Sequence, residues 1–305
     1  MHYVIGDVHG CYKELMLLFK KIEKKDPDAK FILIGDLIER GPDTLKIIDW
    51  ALKNISATGK YQCIRGNHEQ MVYEWYIDEF MPWWQRKHKF GVEGEPMPQT
   101  YYDYSKVIEE NGLAEPDKIK PFVDFIEKLP YDKKITVTTT GGVKATYRIV
   151  HAWYDYSPNL PEDVQHRANL WKRCGFGSYT SDEIIIHGHT PTINITYISA
   201  NPEPDRPGLI GYRHNAINID GGCCFGTFVP YPAMLCALCL ETLQEFYPYT
   251  IANCLFKQAE GILTKEESVM RAKQYQKEYL TEENAYCFNL YQKLNVSPKL
   301  GRIVV

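Results

Sequence analysis

Short apolar runs alternate with amphipathic stretches over the first 70 residues. Residues 3–5 and 31–34 are continuous apolar runs, and the second reads as a strand covered on both faces. Residues 61–64 form a third strand candidate. Between them, residues 12–25 carry Leu15, Leu18, Phe19 and Ile22 at helical spacing, and residues 42–54 carry Leu45, Ile48 and Leu52. A third helix, after Asn67, bears Met71, Trp75 and Tyr76. Residues 77–130 break this rhythm: Phe80, Trp83, Trp84, Phe90, Tyr101, Tyr102 and Tyr104 fall among Gly and Pro, which predicts a mostly helical insertion over the sheet. The second half turns β-rich, with strands expected at 134–140, 146–150, 183–186, 216–219 and 233–241 and a hairpin turn at Gly141-Gly142. Thr264 and Glu267 make a capping box that opens a helical tail reaching about Leu294. The expected fold is therefore α/β (α+β), with layered β-sheets flanked by helices. It comprises a domain at 1–250 that includes the insertion, and a helical extension at 251–305 packed on the same domain.

Composition narrows the possible partners. The 305 residues carry a net charge of −4, so no overall basic field favours stable nucleic-acid binding or an anionic membrane. No apolar run approaches the ~20 residues of a spanning helix, and the N-terminus lacks the basic start of a signal peptide. These features predict a cytoplasmic protein with no membrane partner; oligomeric state is not legible. The nine cysteines, an odd number, point to free thiols. Cys236 and Cys239 form a CxxC within an expected strand, where residues three apart face opposite ways, so packing is the preferred reading. Cys223 and Cys224 follow Asp220 in a Gly-rich turn and are also read as packing.

The candidate chemistry lies where the apolar runs stop. Asp7 and His9, Asp36, Asn67 and His68, His151, and His189 each follow a strand candidate directly, and Asp220 ends a sixth. Any one of them reads equally well as a polar strand terminus. Together they form a set of Asp, His and Asn donors at the ends where open α/β sheets gather ligands.

The segments GDVHG, GDLIERG, GNHE, VHA and HGHT, in this order from Gly6 to Thr190, resemble the signature blocks of the metallophosphoesterases of the phosphoprotein phosphatase type. That branch includes bacterial serine/threonine phosphatases and symmetrical diadenosine tetraphosphate hydrolases. The resemblance implies that Asp7 and His9 bind one divalent metal, that Asn67, His151 and His189 bind a second, and that Asp36 bridges both. It further implies His68 as the acid that protonates the leaving oxygen, Glu39 as its orienting partner, and Arg40 and Arg173 as phosphate ligands, with Arg213 a rival to Arg173. Hard oxygen and imidazole donors without thiolate suit manganese first, with iron or zinc as alternatives. A metal-bridging hydroxide would then attack phosphorus, with no phosphoenzyme.

Three positions depart from the family pattern. Glu39 stands where Asp is usual and is expected still to pair with His68. His187 points to the same side as His189, with packing the preferred role, and Trp153 replaces a common Gly. The leading functional expectation is a serine/threonine protein phosphatase acting on phosphomonoesters of a phosphorylated protein or small molecule. Hydrolysis of a nucleotide polyphosphate or a nucleic-acid end is the alternative, and a non-catalytic binding protein the third.

Overall fold

The computed structural model describes residues 1–90, 94–157, 159–173, 182–194, 206–213, 215–228, 231–259, 262–280 and 290–296. Two five-stranded mixed sheets form its centre. In the first sheet, β1 (His2–Ile5), β2 (Lys30–Leu33) and β3 (Tyr61–Cys63) run parallel. Antiparallel β9 (Ala237–Cys239) and β10 (Glu245–Phe246) extend it beyond β1. In the second sheet, β5 (Lys144–Val150), β6 (Ile184–His187) and β8 (Ala216–Asn218) run parallel. Antiparallel β4 (Asp132–Thr138) and β7 (Gly211–Arg213) form its edges, and Gly141-Gly142 lies in the β4–β5 hairpin as expected.

Strand alternation builds two cores. Tyr3, Ile5, Phe31 and Leu33 point to one side and meet the helices α1 (Tyr12–Glu23), α2 (Thr44–Asn54) and α3 (Asn67–Trp75). Val4, Ile32, Ile34 and Ile64 point to the other side and meet Tyr147, Ile149, Ile186 and Ile217 of the second sheet. The continuous run at 31–34 is thus a strand buried on both faces. Cys236 belongs to the core between the sheets and Cys239 to the helical core, so the CxxC pair does face opposite ways.

The insertion is helical. A π-helical turn (Tyr76–Phe80) continues α3 into α4 (Met81–Phe90), and α5 (Tyr104–Glu110) and α6 (Pro116–Glu127) follow. Its aromatics Phe80, Trp83, Tyr104 and Phe122 join the helical core of the first sheet. After α7 (Glu162–Trp171), the C-terminal helices are α8 (Ile251–Gln258) and α9 (Lys265–Tyr279), the latter opened by the Thr264–Glu267 capping box. Ile251, Leu255, Ala272 and Tyr275 from these two helices belong to the core between the sheets. Residues 281–289 of the expected tail lie outside the described residues. No helix among the described residues is long and apolar enough to cross a membrane.

Two local expectations change. The apolar stretch 233–241 forms a strand only at Ala237–Cys239; the residues before it run irregularly, with Met234 O close enough to Gly221 that a Cβ there would come within 2.3 Å. In α2 the buried face is Thr44, Ile47, Ile48 and Ala51, whereas Leu52 is 40% exposed. Small Ala51 rather than Leu52 occupies the close approach to the neighbouring helices.

Candidate metal centre

The carboxyl ends of β1, β2, β3, β5, β6 and β8 open into one buried cluster. Asp7, His9, Asp36, Asn67, His68, His151, His189 and Asp220 are all buried there. Two groups of donor atoms stand out, one formed by His9, Asp36 and His68 and one by Asp36, His151 and His189; Asp36 belongs to both. In the first group, His9 Nε2 lies 3.4 Å and His68 Nε2 3.8 Å from Asp36 Oδ2. In the second, His151 Nε2 lies 3.4 Å from Asp36 Oδ1. Asn67 Oδ1 is 2.8 Å from both His151 Nε2 and His189 Nδ1, and these two ring nitrogens are 3.2 Å apart. Asp7 Oδ2 accepts the His189 backbone N–H at 3.0 Å.

The ring orientations decide what these atoms offer. His9 Nδ1 lies 3.1 Å from the Ile38 carbonyl and His151 Nδ1 3.0 Å from the Ile34 carbonyl. A carbonyl only accepts, so each Nδ1 carries the proton and each Nε2 turns a lone pair into the cluster. Burial pushes the His151 imidazole down to about 3, so its Nε2 is a bare lone pair facing Asn67 Oδ1 and His189 Nδ1. Asn67 Oδ1 and the His151 Nε2 lone pair, two acceptors 2.8 Å apart, repel one another unless a cation lies beside them. Donors held ~2.1 Å from one cation at right angles stand ~3 Å apart, which is the spacing found here.

The carboxylates give the same answer. Burial, together with Asp220 and Asp36, raises Asp7 well above its ordinary value. Burial also raises Asp36 and takes Asp220 to about 7. Asp7 Oδ1 and Asp220 Oδ2 are buried without a hydrogen-bond partner. A buried acid with one oxygen left unpartnered is costly to ionise, and divalent cations offset that cost. The donor set therefore fits metal ions.

The backbone is strained at these residues. Among the described residues, eight non-glycine residues have positive φ, and five of them are His9, Asp36, Glu39, Arg40 and His189. Such conformations each cost of order 1–3 kcal/mol and persist where surrounding contacts fix them. Glu69 supplies that fixing at Asp36. Its Oε2 accepts the N–H groups of Asp36 and Gly66 at 2.8 and 3.0 Å, and its Oε1 accepts Leu37 N–H at 2.8 Å. Close backbone approach is needed as well: a Cβ on Gly66 would come 2.3 Å from Asp36 Oδ1, and one on Gly188 2.1 Å from Asp7 Oδ1.

Beside the donors, Glu39 Oε2 lies 2.6 Å from His68 Nδ1 while its Oε1 accepts the Tyr104 backbone N–H at 3.1 Å. The longer side chain reaches both partners at once. Arg40 Nη1 lies 2.9 Å from His9 Nε2, and Nη2 donates to the Tyr102 hydroxyl at 3.0 Å. Arg173 is exposed and donates to Thr190 Oγ1 at 3.3 Å. Arg213, by contrast, sits in the edge strand β7. His187 is buried with its ring edge-on to Trp153 at 5.7 Å. Cys223 Sγ donates to the Asp7 carbonyl at 3.3 Å, and the described cysteines are free thiols.

Sequence reasoning missed Glu69 and Tyr102. Glu69 had a signal, being an acid three residues after Gly66 at a helix start, inside a block already recognised. Tyr102, whose ring stacks on His68 at 4.3 Å, had none.

The chain matches the model of the calcineurin-like phosphoesterases over residues 3–217. It belongs to that family, and it is a phosphoester hydrolase. It is 29% identical to the asymmetrical bis(5'-nucleosyl)-tetraphosphatase PrpE of Halalkalibacterium halodurans, over 73% of this chain and 85% of that protein. It is 26% identical to the same-named protein of Anoxybacillus flavithermus, over 76% of this chain and 90% of that one. The crystal structure of a metallophosphoesterase from Sphaerobacter thermophilus covers 89% of this chain and 98% of its own, at 14% identity and a TM-score of 0.40.

Glu69→Ala leaves three buried N–H groups without acceptors, at ~1–3 kcal/mol for each unsatisfied group. The variant is expected to lose roughly 3 kcal/mol or more of unfolding free energy in urea. A loss below ~1 kcal/mol would show that other contacts hold the Asp36 turn.

Proposed function

We propose that this chain hydrolyses dinucleoside polyphosphates, cutting a phosphoanhydride with water. The observation that carries the hydrolytic part is that His9 on one side and His151 and His189 on the other gather around one buried carboxylate, Asp36. The nucleotide part rests on relatives named as dinucleoside tetraphosphatases that align along 73% and 76% of the chain. Asp7 and His9 would hold one divalent cation, Asn67, His151 and His189 the other, and Asp36 both. Asp220, buried beside Asp7, adds negative charge to the same site. Oxygen and imidazole donors favour manganese, with iron or zinc as alternatives. When bound, the cations supply a water acidified toward neutrality and positive charge for the phosphoryl oxygens. A cytoplasmic place of action belongs to this reading, in keeping with free thiols at Cys11, Cys223 and Cys224.

The chain's own groups complete the reaction. Arg40 and Arg173 face the charge that grows on the non-bridging oxygens. His68 gives a proton to the leaving oxygen as the bond from water oxygen to phosphorus forms and the old P–O bond breaks. Burial pushes Glu39 up to about 8 and His68 down to about 4. The 2.6 Å contact makes them one unit that titrates as a pair. With a single shared proton on Glu39 or on His68 Nδ1, Nε2 retains its N–H and remains the donor aimed at the cluster.

A phosphoserine or phosphothreonine protein is the second reading, favoured by the five signature blocks. Turnover of diadenosine tetraphosphate, measured beside a phosphoserine peptide in manganese-loaded protein, separates the two. We expect a higher kcat/KM for the dinucleotide. A preference for the peptide would reverse the assignment.

His68→Ala tests the acid. Phenyl phosphate has a poorer leaving group than p-nitrophenyl phosphate, so the variant should lose ~10²–10⁴-fold on the former and far less on the latter. The protonated Glu39–His68 pair is the active form, and it is lost as pH rises through about 8. Wild-type turnover of phenyl phosphate should therefore fall above that pH, and the His68→Ala profile should lack this limb. Equal losses on both esters would remove His68 from proton transfer.

A further inference from the structure

Tyr101 is 83% exposed, the most exposed aromatic side chain among the described residues. An isolated surface tyrosine needs no explanation, but this one is joined to the centre. Its ring stands edge-on to Tyr102 at 4.9 Å, and Tyr102 stacks on His68 at 4.3 Å with an interplanar angle of 27°. The Tyr102 ring and hydroxyl both engage Arg40, whose guanidinium carbon lies 4.8 Å from the ring centre.

The backbone carrying the two tyrosines is fixed at both ends. Thr100 N–H donates to Ser105 Oγ at 2.8 Å and Ser105 N–H to Thr100 Oγ1 at 3.1 Å. Thr100 Oγ1 donates to the Tyr102 carbonyl at 3.2 Å, and the neighbouring Tyr104 N–H is held by Glu39. A backbone held in this way has little main-chain freedom left to lose on binding.

Position gives this ring a direction. His68 donates to the leaving oxygen, so whatever is attached to that oxygen departs past His68. Tyr102 covers one face of the His68 ring, and Tyr101, edge-on to Tyr102, carries that run of rings out to solvent.

We propose that Tyr101, backed by Tyr102, is a stacking platform for the nucleobase on the leaving-group side of the substrate. This inference rests on the dinucleoside polyphosphate reading above. It adds a base-binding subsite supplied by the 77–130 insertion rather than by the strand ends. Every base offers a π-face to an aromatic side chain, so the platform selects for a nucleoside and is tolerant of which base it carries.

The test uses the full chain loaded with Mn²⁺. KM and kcat are measured for diadenosine tetraphosphate, and a competitive inhibition constant for inorganic tripolyphosphate, which has phosphates but no base. Tyr101→Ala should raise the dinucleotide KM by roughly 10-fold, within the range of base–aromatic stacking. It should leave kcat and the tripolyphosphate constant unchanged, and Tyr101→Phe should restore the KM. An unchanged dinucleotide KM in Tyr101→Ala overturns the platform alone. Equal weakening of dinucleotide and tripolyphosphate also overturns it, since that pattern marks a general disturbance of the site. If wild-type protein cleaves p-nitrophenyl phosphate but not the dinucleotide, the substrate reading fails and the platform falls with it.

Discussion

One buried carboxylate ties the two halves of the molecule together. Asp36 sits at the end of β2 in the first sheet. Its Oδ2 faces His9 and His68, and its Oδ1 faces His151, which is carried by the second sheet. The same oxygen, Oδ1, accepts the His68 backbone N–H at 3.0 Å. His151 in turn reaches back to the first sheet through its contact with the Ile34 carbonyl. An acid so placed, with Asp7 and Asp220 buried nearby, is pushed toward neutrality by burial. Cations that hold it ionised would also pin the two sheets at this end.

The rest of the structure reads as support for that arrangement. The carboxyl ends of β1, β2, β3, β5, β6 and β8 fix where the six turns begin. The turns then take conformations that an unconstrained chain avoids, with His9, Asp36, Glu39, Arg40 and His189 all at positive φ. Glu69 gathers three N–H groups that would otherwise be stranded. Stability held in the two cores thus offsets strain concentrated where the donors converge.

Much of this was legible in the sequence, because an apolar run ended by Asp, His or Asn marks both a strand and the donor-bearing turn at its carboxyl end. The run at 31–34 and the capping box at Thr264 behave as their patterns predict. Helix phase was less legible: Leu45, Ile48 and Leu52 suggest one face of α2, yet Ala51 takes the close contact and Leu52 is 40% exposed. Periodicity fixes a stripe only to within a residue or so, and the size of the neighbour settles the rotation. The place of Tyr102 against His68 was not legible. It lies more than 30 residues from His68 in an aromatic-rich stretch where Phe80, Trp83, Tyr104 and Phe122 pack in the core. Only tertiary placement separates the two classes.

The sharing of Asp36 between two cations is most directly tested by titrating metal-stripped protein with Mn²⁺ while recording electron paramagnetic resonance. Binding of two equivalents per chain, with the signal of a magnetically coupled pair at saturation, is the expected result. A single equivalent, or two ions whose spectra remain those of isolated Mn²⁺, would contradict a centre built around one shared carboxylate.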